Sequence, residues 1–144
     1  MARPELRAFE PSTDSALVMS SWAHQVQGRG ALAELSPAEY HRLHRPVVLG
    51  LLQRVAPLVA CSPHDPAIIY GWLCGELLAE GQQVLHMIYT RSAYRRQGVA
   101  SALLQVTYPE LGRAPLYYTH ETRATRYHRD RWQLRAAPHL AQVM

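Results

Sequence analysis

At 144 residues, 48% of them hydrophobic, the chain is long enough for one hydrophobic core, so we expect a single domain spanning residues 1–144. No apolar run approaches the roughly 18 residues of a membrane span, and the first residues lack the apolar segment of a secretion signal. These features argue against a membrane protein and, with only two cysteines, favour a cytoplasmic one.

Positive charge is concentrated in the last part of the chain. Residues 1–90 hold six arginines against eight acidic residues, whereas residues 91–144 hold nine arginines against three acidic residues. The resulting positive electrostatic field suits a polyphosphate cofactor or a nucleic acid, and composition alone does not distinguish between the two.

Cysteine and histidine spacings give no metal motif. Cys61 and Cys74 have no ligand partner at metal-binding spacing, and the eight histidines form no H-E-x-x-H or C-x-x-C cluster. We therefore expect no metal site and two buried thiols, with a disulfide between them as the alternative.

The first elements are a strand, over residues 5–9, and an amphipathic helix, over residues 10–26, with Ser12 or Thr13 as its cap. The apolar face of this helix comprises Leu17, Val18, Trp22 and Val26. Glycines at 28 and 30 then predict a loop.

A second helix begins at S-P-A-E, residues 36–39, because Ser36 caps the helix and Glu39 reaches back to it. Pro46 inside the pattern predicts a kink or two abutting short helices. The residues that recur at helical spacing are Tyr40, Leu43, Val47, Leu51 and Val55.

The remainder alternates strands and helices. Strands are predicted over 57–61, 67–77, 84–90 and 115–119, and helices over 98–106 and 121–135. The order β-α-α-β-β-β-α-β-α-(β) predicts a mixed α/β sheet, antiparallel at first and with one parallel crossover. Only thirteen residues follow Arg131, which is room for one more strand.

The stretch Y-T-R-S-A-Y-R-R-Q-G-V-A-S-A-L-L, residues 89–104, joins a strand to a helix. Helix N-termini favour phosphate because they present unpaired N–H groups and a positive dipole end. Gly98 lets the backbone approach an anion closely, and Arg91, Arg95 and Arg96 add charge. The alternative is an ordinary solvated turn.

The segment from Arg95 to Ala100, R-R-Q-G-V-A, resembles the R/Q-x-x-G-x-G/A signature of the GCN5-related N-acetyltransferases, and Y-G-W-L-C-G-E resembles that family's third strand. The similarity spans about residues 5–135 and is greatest to small members encoded by phages and prophages. It implies that family's fold, with the sheet splayed between its fourth and fifth strands. It also implies acetyl-CoA as the donor, with pyrophosphate at the loop and pantetheine along the fourth strand. The implied coenzyme-binding residues are Ile88, Tyr89, Thr90, Arg95, Arg96, Gln97, Gly98, Val99, Ala100 and Ser101.

The family's last helix commonly carries N-x-x-A-x-x-x-Y, and the tyrosine often protonates the leaving thiolate. Aligned on Ala124, Glu121 stands where asparagine is usual and His128 where tyrosine is usual, while Tyr127 lies one residue early. A one-residue step rotates a helical side chain by about 100°, so only one of Tyr127 and His128 can face the sulfur. In the alternative, Tyr127 belongs to the core and His128 is solvated.

The fourth strand offers His86 as candidate general base, and Glu76 on the third strand is the nearest carboxylate. A merely hydrogen-bonded histidine and a solvated glutamate are the structural alternatives. Alternation along the fifth strand directs one of Tyr117 and Tyr118 into the cleft. Trp22 belongs either to the core or to the acceptor pocket.

The function that these features favour is acetyl-CoA-dependent N-acetyl transfer, directly to a primary amine. Two alternatives stay open: acyl transfer to a modified base in nucleic acid, and a non-catalytic CoA-binding module. The resemblance implies two strands after the last helix, whereas the tail has room for one. The absence of the second strand leaves either an open acceptor site or a sheet edge that a second copy of the chain covers in a homodimer.

Overall fold

The computed structural model describes residues 3–26, 29 and 32–142, so the predicted loop glycines Gly28 and Gly30 lie outside the described residues. The strands are β1 (Glu5–Ala8), β2 (Leu58–Cys61), β3 (Ile69–Leu77), β4 (Gln83–Thr90), β5 (Leu116–Tyr118) and β6 (Leu134–Ala136). The helices are α1 (Pro11–Val26), α2 (Pro37–Glu39), a π-helical turn (Tyr40–His44), α3 (Arg45–Arg54), α4 (Val99–Thr107) and α5 (Arg123–Tyr127). None of the helices in these described ranges is both long and apolar enough to cross a membrane.

The six strands form one sheet in the order β1-β2-β3-β4-β5-β6. Strands β1 to β4 pair antiparallel, while β4 with β5 and β5 with β6 pair parallel. The predicted mixed sheet and element order are therefore confirmed. The three-residue β6 forms the sheet edge, as the short tail predicted.

Helix α1 begins one residue before the predicted cap. Pro11 is its first residue, so Ser12 and Thr13 lie inside the first turn and neither is the cap. The carboxylate of Asp14 instead accepts a hydrogen bond from the Glu10 N–H at 2.8 Å. Proline suits this position because its missing N–H would be unpaired there in any case.

The second helix is interrupted as predicted. Ser36 and Glu39 form the expected capping box, and the π-helical turn separates α2 from α3, which carries Pro46 in its first turn. A π turn inserts one residue into the helical repeat. Leu43 is therefore rotated outward and is 52% exposed, contrary to its predicted place on the apolar face.

The predicted helix over 121–135 is wrong beyond Tyr127. Helix α5 has five residues, turns follow over 128–133, and β6 begins at Leu134. The segment is rich in arginine and has no continuous apolar stripe, so extending the helix would bury little surface. The Thr122 cap and the positive φ of 51° at Gln133 bound the region.

A hydrophobic core lies on each face of the sheet. One core packs α1 and α3 against β3 and β4, and the other packs α4 against β3, β4 and β5. The first core includes Val18, Trp22, Val26, Leu51, Trp72 and Met87, and the second includes Leu73, Leu85, Leu103, Tyr108 and Leu116.

Candidate functional site

Strands β4 and β5 part in the middle of β4. They pair over three positions, ending at Leu85 with Tyr118, and the Thr119 N–H then donates to the Leu85 carbonyl at 3.0 Å. Strand β4 continues to Thr90, whereas β5 ends at Tyr118. Within the described residues, the last part of β4 thus has an edge with no strand partner, and a gap opens in the sheet.

A β-bulge lies where the gap begins. Cys74 of β3 pairs with Met87 of β4, but the next residue, Gly75, pairs with Leu85. His86 is therefore the extra residue of β4. Bulges bend a strand and redirect a side chain, which explains both the parting of the strands and the inward position of His86.

His86 and Glu76 form a hydrogen-bonded pair at the bulge. His86 is 0% exposed, its Nε2 bonds the Glu76 carboxylate, and Glu76 Oε1 accepts from Arg54 at 2.5 Å. Burial lowers the pKa of His86, although the Glu76 carboxylate opposes this shift. The pair is thus a neutral imidazole beside a carboxylate that is ion-paired with Arg54, and the imidazole can accept a proton. Glu76 is ion-paired, so the solvated alternative for it is wrong.

The hydrogen bonding continues through three residues that were not predicted as site residues. Thr119 Oγ1 lies 3.1 Å from His86 Nδ1 and 2.8 Å from His120 Nδ1, and His120 Nε2 lies 2.8 Å from His44 Nε2. His44 belongs to the π turn, 76 positions from His120. No local spacing in the sequence could have indicated this contact.

Trp22 belongs to the core, at 0% exposure. Its ring packs 5.7 Å from that of Trp72 and edge-on to that of His120 at 5.2 Å. The indole N–H of Trp22 is buried without a hydrogen-bond partner in the described residues. Trp22 therefore contacts the histidine network without hydrogen bonding to it.

The arginine-rich loop follows β4 directly. A short 3-10 turn leads to Arg96, at φ 62°, and to Gly98, at φ 84°, which is the residue before α4. A Cβ at Gly98 would meet no heavy atom within 4 Å. The guanidinium Nε of Arg95 donates to the Thr90 carbonyl at 3.0 Å, which ties the loop to the end of β4. Since no side chain caps α4, its first N–H groups are available to an anion.

The remaining candidates lie at α5 and β5. Tyr127 is 81% exposed, so its predicted alternative place in the core is wrong. His128 is half-buried, with its ring 4.8 Å from that of Tyr127. Among the described residues no hydrogen bond joins either side chain to the His86 network. Tyr118 is buried beside α4, which leaves Tyr117 on the face of β5 that Thr119 shares.

Both cysteines are free and buried, as predicted. Burial raises the pKa of Cys74 to about 12 and also raises that of Cys61. A thiol that stays protonated is a poor nucleophile. Neither cysteine can readily form a covalent intermediate.

No protein-family model matches the chain, and no curated protein does. Among solved structures, the chain is similar to a candidate acetyl transferase from Pyrococcus furiosus, with 20% identity, a TM-score of 0.56 and coverage of 89% of this chain and 91% of that one. It is also similar to a GCN5-related glucosamine N-acetyltransferase region of a fungal multi-domain β-N-acetylglucosaminidase, with 16% identity and a TM-score of 0.50. That match covers 74% of this chain and 12% of the fungal one. The chain thus has the fold of the GCN5-related N-acetyltransferases, as the sequence resemblance implied.

Proposed function

We propose that this protein is an acetyl-CoA-dependent N-acetyltransferase that transfers the acetyl group directly to a primary amine. The observation that carries the proposal is the gap between β4 and β5, which opens at the His86 bulge and leads along β4 to the α4 loop. A donor along the free edge of β4 would have its reactive end beside His86 and its phosphates at the loop.

The residues at the loop fit coenzyme A. The backbone of residues 97–101 enters α4 with its N–H groups uncapped, and nothing crowds the Cα of Gly98. The side chains of Arg95 and Arg96 are exposed beside this turn and suit phosphate. Residues 88–90 on the free edge of β4 would hold the pantetheine arm by backbone hydrogen bonds. Acetyl-CoA would supply the activated thioester that the amine attacks.

Direct transfer is favoured over a covalent thioester route because both cysteines are buried with raised pKa values. The neutral imidazole of His86 is buried with both ring nitrogens hydrogen-bonded, so it supplies basicity to the gap through the residues that are hydrogen-bonded to it. Protonation of the leaving thiolate falls to Tyr127 or His128. Burial lowers the pKa of His128, so its ring is neutral at pH 7 and has no proton acidic enough for this step, which favours Tyr127 as the acid.

The test combines calorimetric titration with CoA and release of free CoA thiol from acetyl-CoA across a panel of primary amines. Binding together with turnover of at least one amine supports the proposal. Tight CoA binding without turnover of any amine would instead favour a non-catalytic CoA-binding module. A protein that does not bind CoA contradicts both.

A further inference from the structure

Five side chains form one continuous line of hydrogen bonds across the gap in the sheet. In order they are Glu76, His86, Thr119, His120 and His44, and together they are called the relay below. They come from β3, β4, the segment after β5, and the π turn, so the relay joins four separate parts of the chain.

The chemistry of these groups fixes the direction of every hydrogen bond. Glu76 is ion-paired with Arg54, and a carboxylate only accepts hydrogen bonds, so His86 carries its proton on Nε2 and has a lone pair on Nδ1. Thr119 must then donate to His86 Nδ1 and accept from His120 Nδ1–H. His120 Nε2 in turn accepts from His44 Nε2–H, which leaves His44 Nδ1 as an acceptor at the end of the relay.

The middle of the relay is buried and its ends are less so. His86, Thr119 and His120 are 0%, 8% and 5% exposed, whereas the Glu76 side chain is 15% exposed and His44 is partly exposed. Burial lowers the pKa of His44 and lowers that of His120 to about 3. All three imidazoles are therefore neutral near pH 7, as the hydrogen-bond directions require.

Resting on the proposed acetyl transfer, we propose that the relay carries away the proton that the acceptor amine loses, with His44 as its entrance and Glu76 as its exit. An N–H bond of the ammonium breaks and its proton binds His44 Nδ1. One proton then shifts across each hydrogen bond, from His44 to His120, to Thr119, to His86 and finally to Glu76. The Glu76 carboxylic acid then releases this proton to water. The Arg54 guanidinium favours this release because it pairs with the carboxylate that remains. No electrons are transferred and the charge balances.

Thr119 is the residue that isolates this role, because its hydroxyl must donate and accept at once. Thr119→Val keeps the shape of the side chain and removes the hydroxyl, whereas Thr119→Ser keeps the hydroxyl. With the amine that the wild-type protein acetylates, we expect Thr119→Val to lower kcat by about 100-fold, the lower end of the range for general acid–base catalysis. We expect Thr119→Val to leave the KM for acetyl-CoA unchanged. We expect Thr119→Ser to have a kcat within a few-fold of the wild-type value.

Nitrogen-15 NMR of the histidine rings gives a readout that does not depend on turnover. The relay requires a proton on Nε2 of His86 and His44, and on Nδ1 of His120. A His120 ring that carries its proton on Nε2 overturns the relay. A Thr119→Val protein whose kcat is within threefold of the wild-type kcat also overturns it. A wild-type protein that acetylates no amine overturns the proposed function instead, and the relay's role with it. If Thr119→Val does not fold, His44→Phe removes the entrance at a less buried position. Wild-type kcat in that variant would equally contradict the relay.

Discussion

The substitution Gly75→Ala tests whether the bulge region is packed as tightly as the structure indicates. A Cβ on Gly75 would overlap the Tyr108 hydroxyl oxygen and lie 3.0 Å from Leu73 Cδ2. That hydroxyl is buried and donates to the Val84 carbonyl at 2.7 Å, so it cannot move away without breaking this bond. The methyl group must therefore displace either Tyr108 or the strand that carries Gly75.

The expected cost has two parts. Overpacking a core costs about 1–3 kcal/mol, and leaving a buried carbonyl unpaired costs about 1–3 kcal/mol. We expect Gly75→Ala to lower the free energy of unfolding by about 3 kcal/mol, which corresponds to a fall in Tm of roughly 6–12 °C in a chain of this size.

Urea and thermal unfolding, followed by circular dichroism, measure this cost. Gly50→Ala is the matched control: a Cβ there meets nothing within 4 Å on the exposed face of α3, so stability should rise by about 0.5–1 kcal/mol. Adding Tyr108→Phe removes the colliding oxygen. The double variant should therefore lose less free energy of unfolding than Gly75→Ala and Tyr108→Phe lose together as single variants. A Gly75→Ala protein as stable as wild type would refute the packing described at the bulge.

Two other predictions concern charged and titrating groups. The buried Asp14 carboxylate accepts hydrogen bonds from both Arg7 amino groups, at 2.7 and 3.0 Å, so Asp14→Ala should lower the free energy of unfolding in urea by about 3 kcal/mol. The control, Glu121→Ala, removes only longer contacts to exposed arginines and should cost less than about 1 kcal/mol. Equal costs would contradict a stabilising ion pair between Arg7 and Asp14. Burial depresses the pKa of His120 to about 3 from an ordinary 6.5, so the stability it contributes is complete above pH 6.5 and falls as the pH drops towards 3, by up to about 1.4 kcal/mol per unit. Urea midpoints at pH 7.5, 6 and 5 measure how steeply stability falls with pH. His120→Asn should make this fall shallower but not abolish it, because burial also lowers the pKa values of His86 and His44. An unchanged pH dependence in this variant would show that His120 is not a buried neutral base.

Local patterns in the sequence predicted the order of the elements and the loop before α4. The capping box at Ser36, the alternating strands and Gly98 depend on neighbours within a few positions, and such signals survive without tertiary information. The prediction of a helix over 121–135 was wrong beyond Tyr127 because it rested on local propensity alone. The arginines of this segment are compatible with a helix but provide no apolar face that would stabilise one by packing.

The chemistry at the gap depends on contacts that the sequence does not display. The bulge at His86 arises from a register shift between β3 and β4, and the outward rotation of Leu43 arises from one extra residue in a π turn. His44 and His120 meet only because the π turn and the end of β5 pack on the same face. His86 and Glu76 were recognisable as residues of suitable chemistry, but the other members of the relay were not.

The most direct test of the account compares CoA binding by Gly98→Leu and Gly112→Leu in calorimetric titrations. Both glycines have positive φ, 84° and 80°, and both have open space at Cβ, so the two substitutions carry similar backbone strain, about 1–2 kcal/mol each. Only Gly98 lies at the loop before α4. We expect Gly98→Leu to weaken CoA binding by about 100-fold or more, because several charge-assisted hydrogen bonds are lost, while Gly112→Leu should bind CoA like the wild-type protein. Equal affinity of all three proteins for CoA would show that the loop before α4 does not hold the coenzyme.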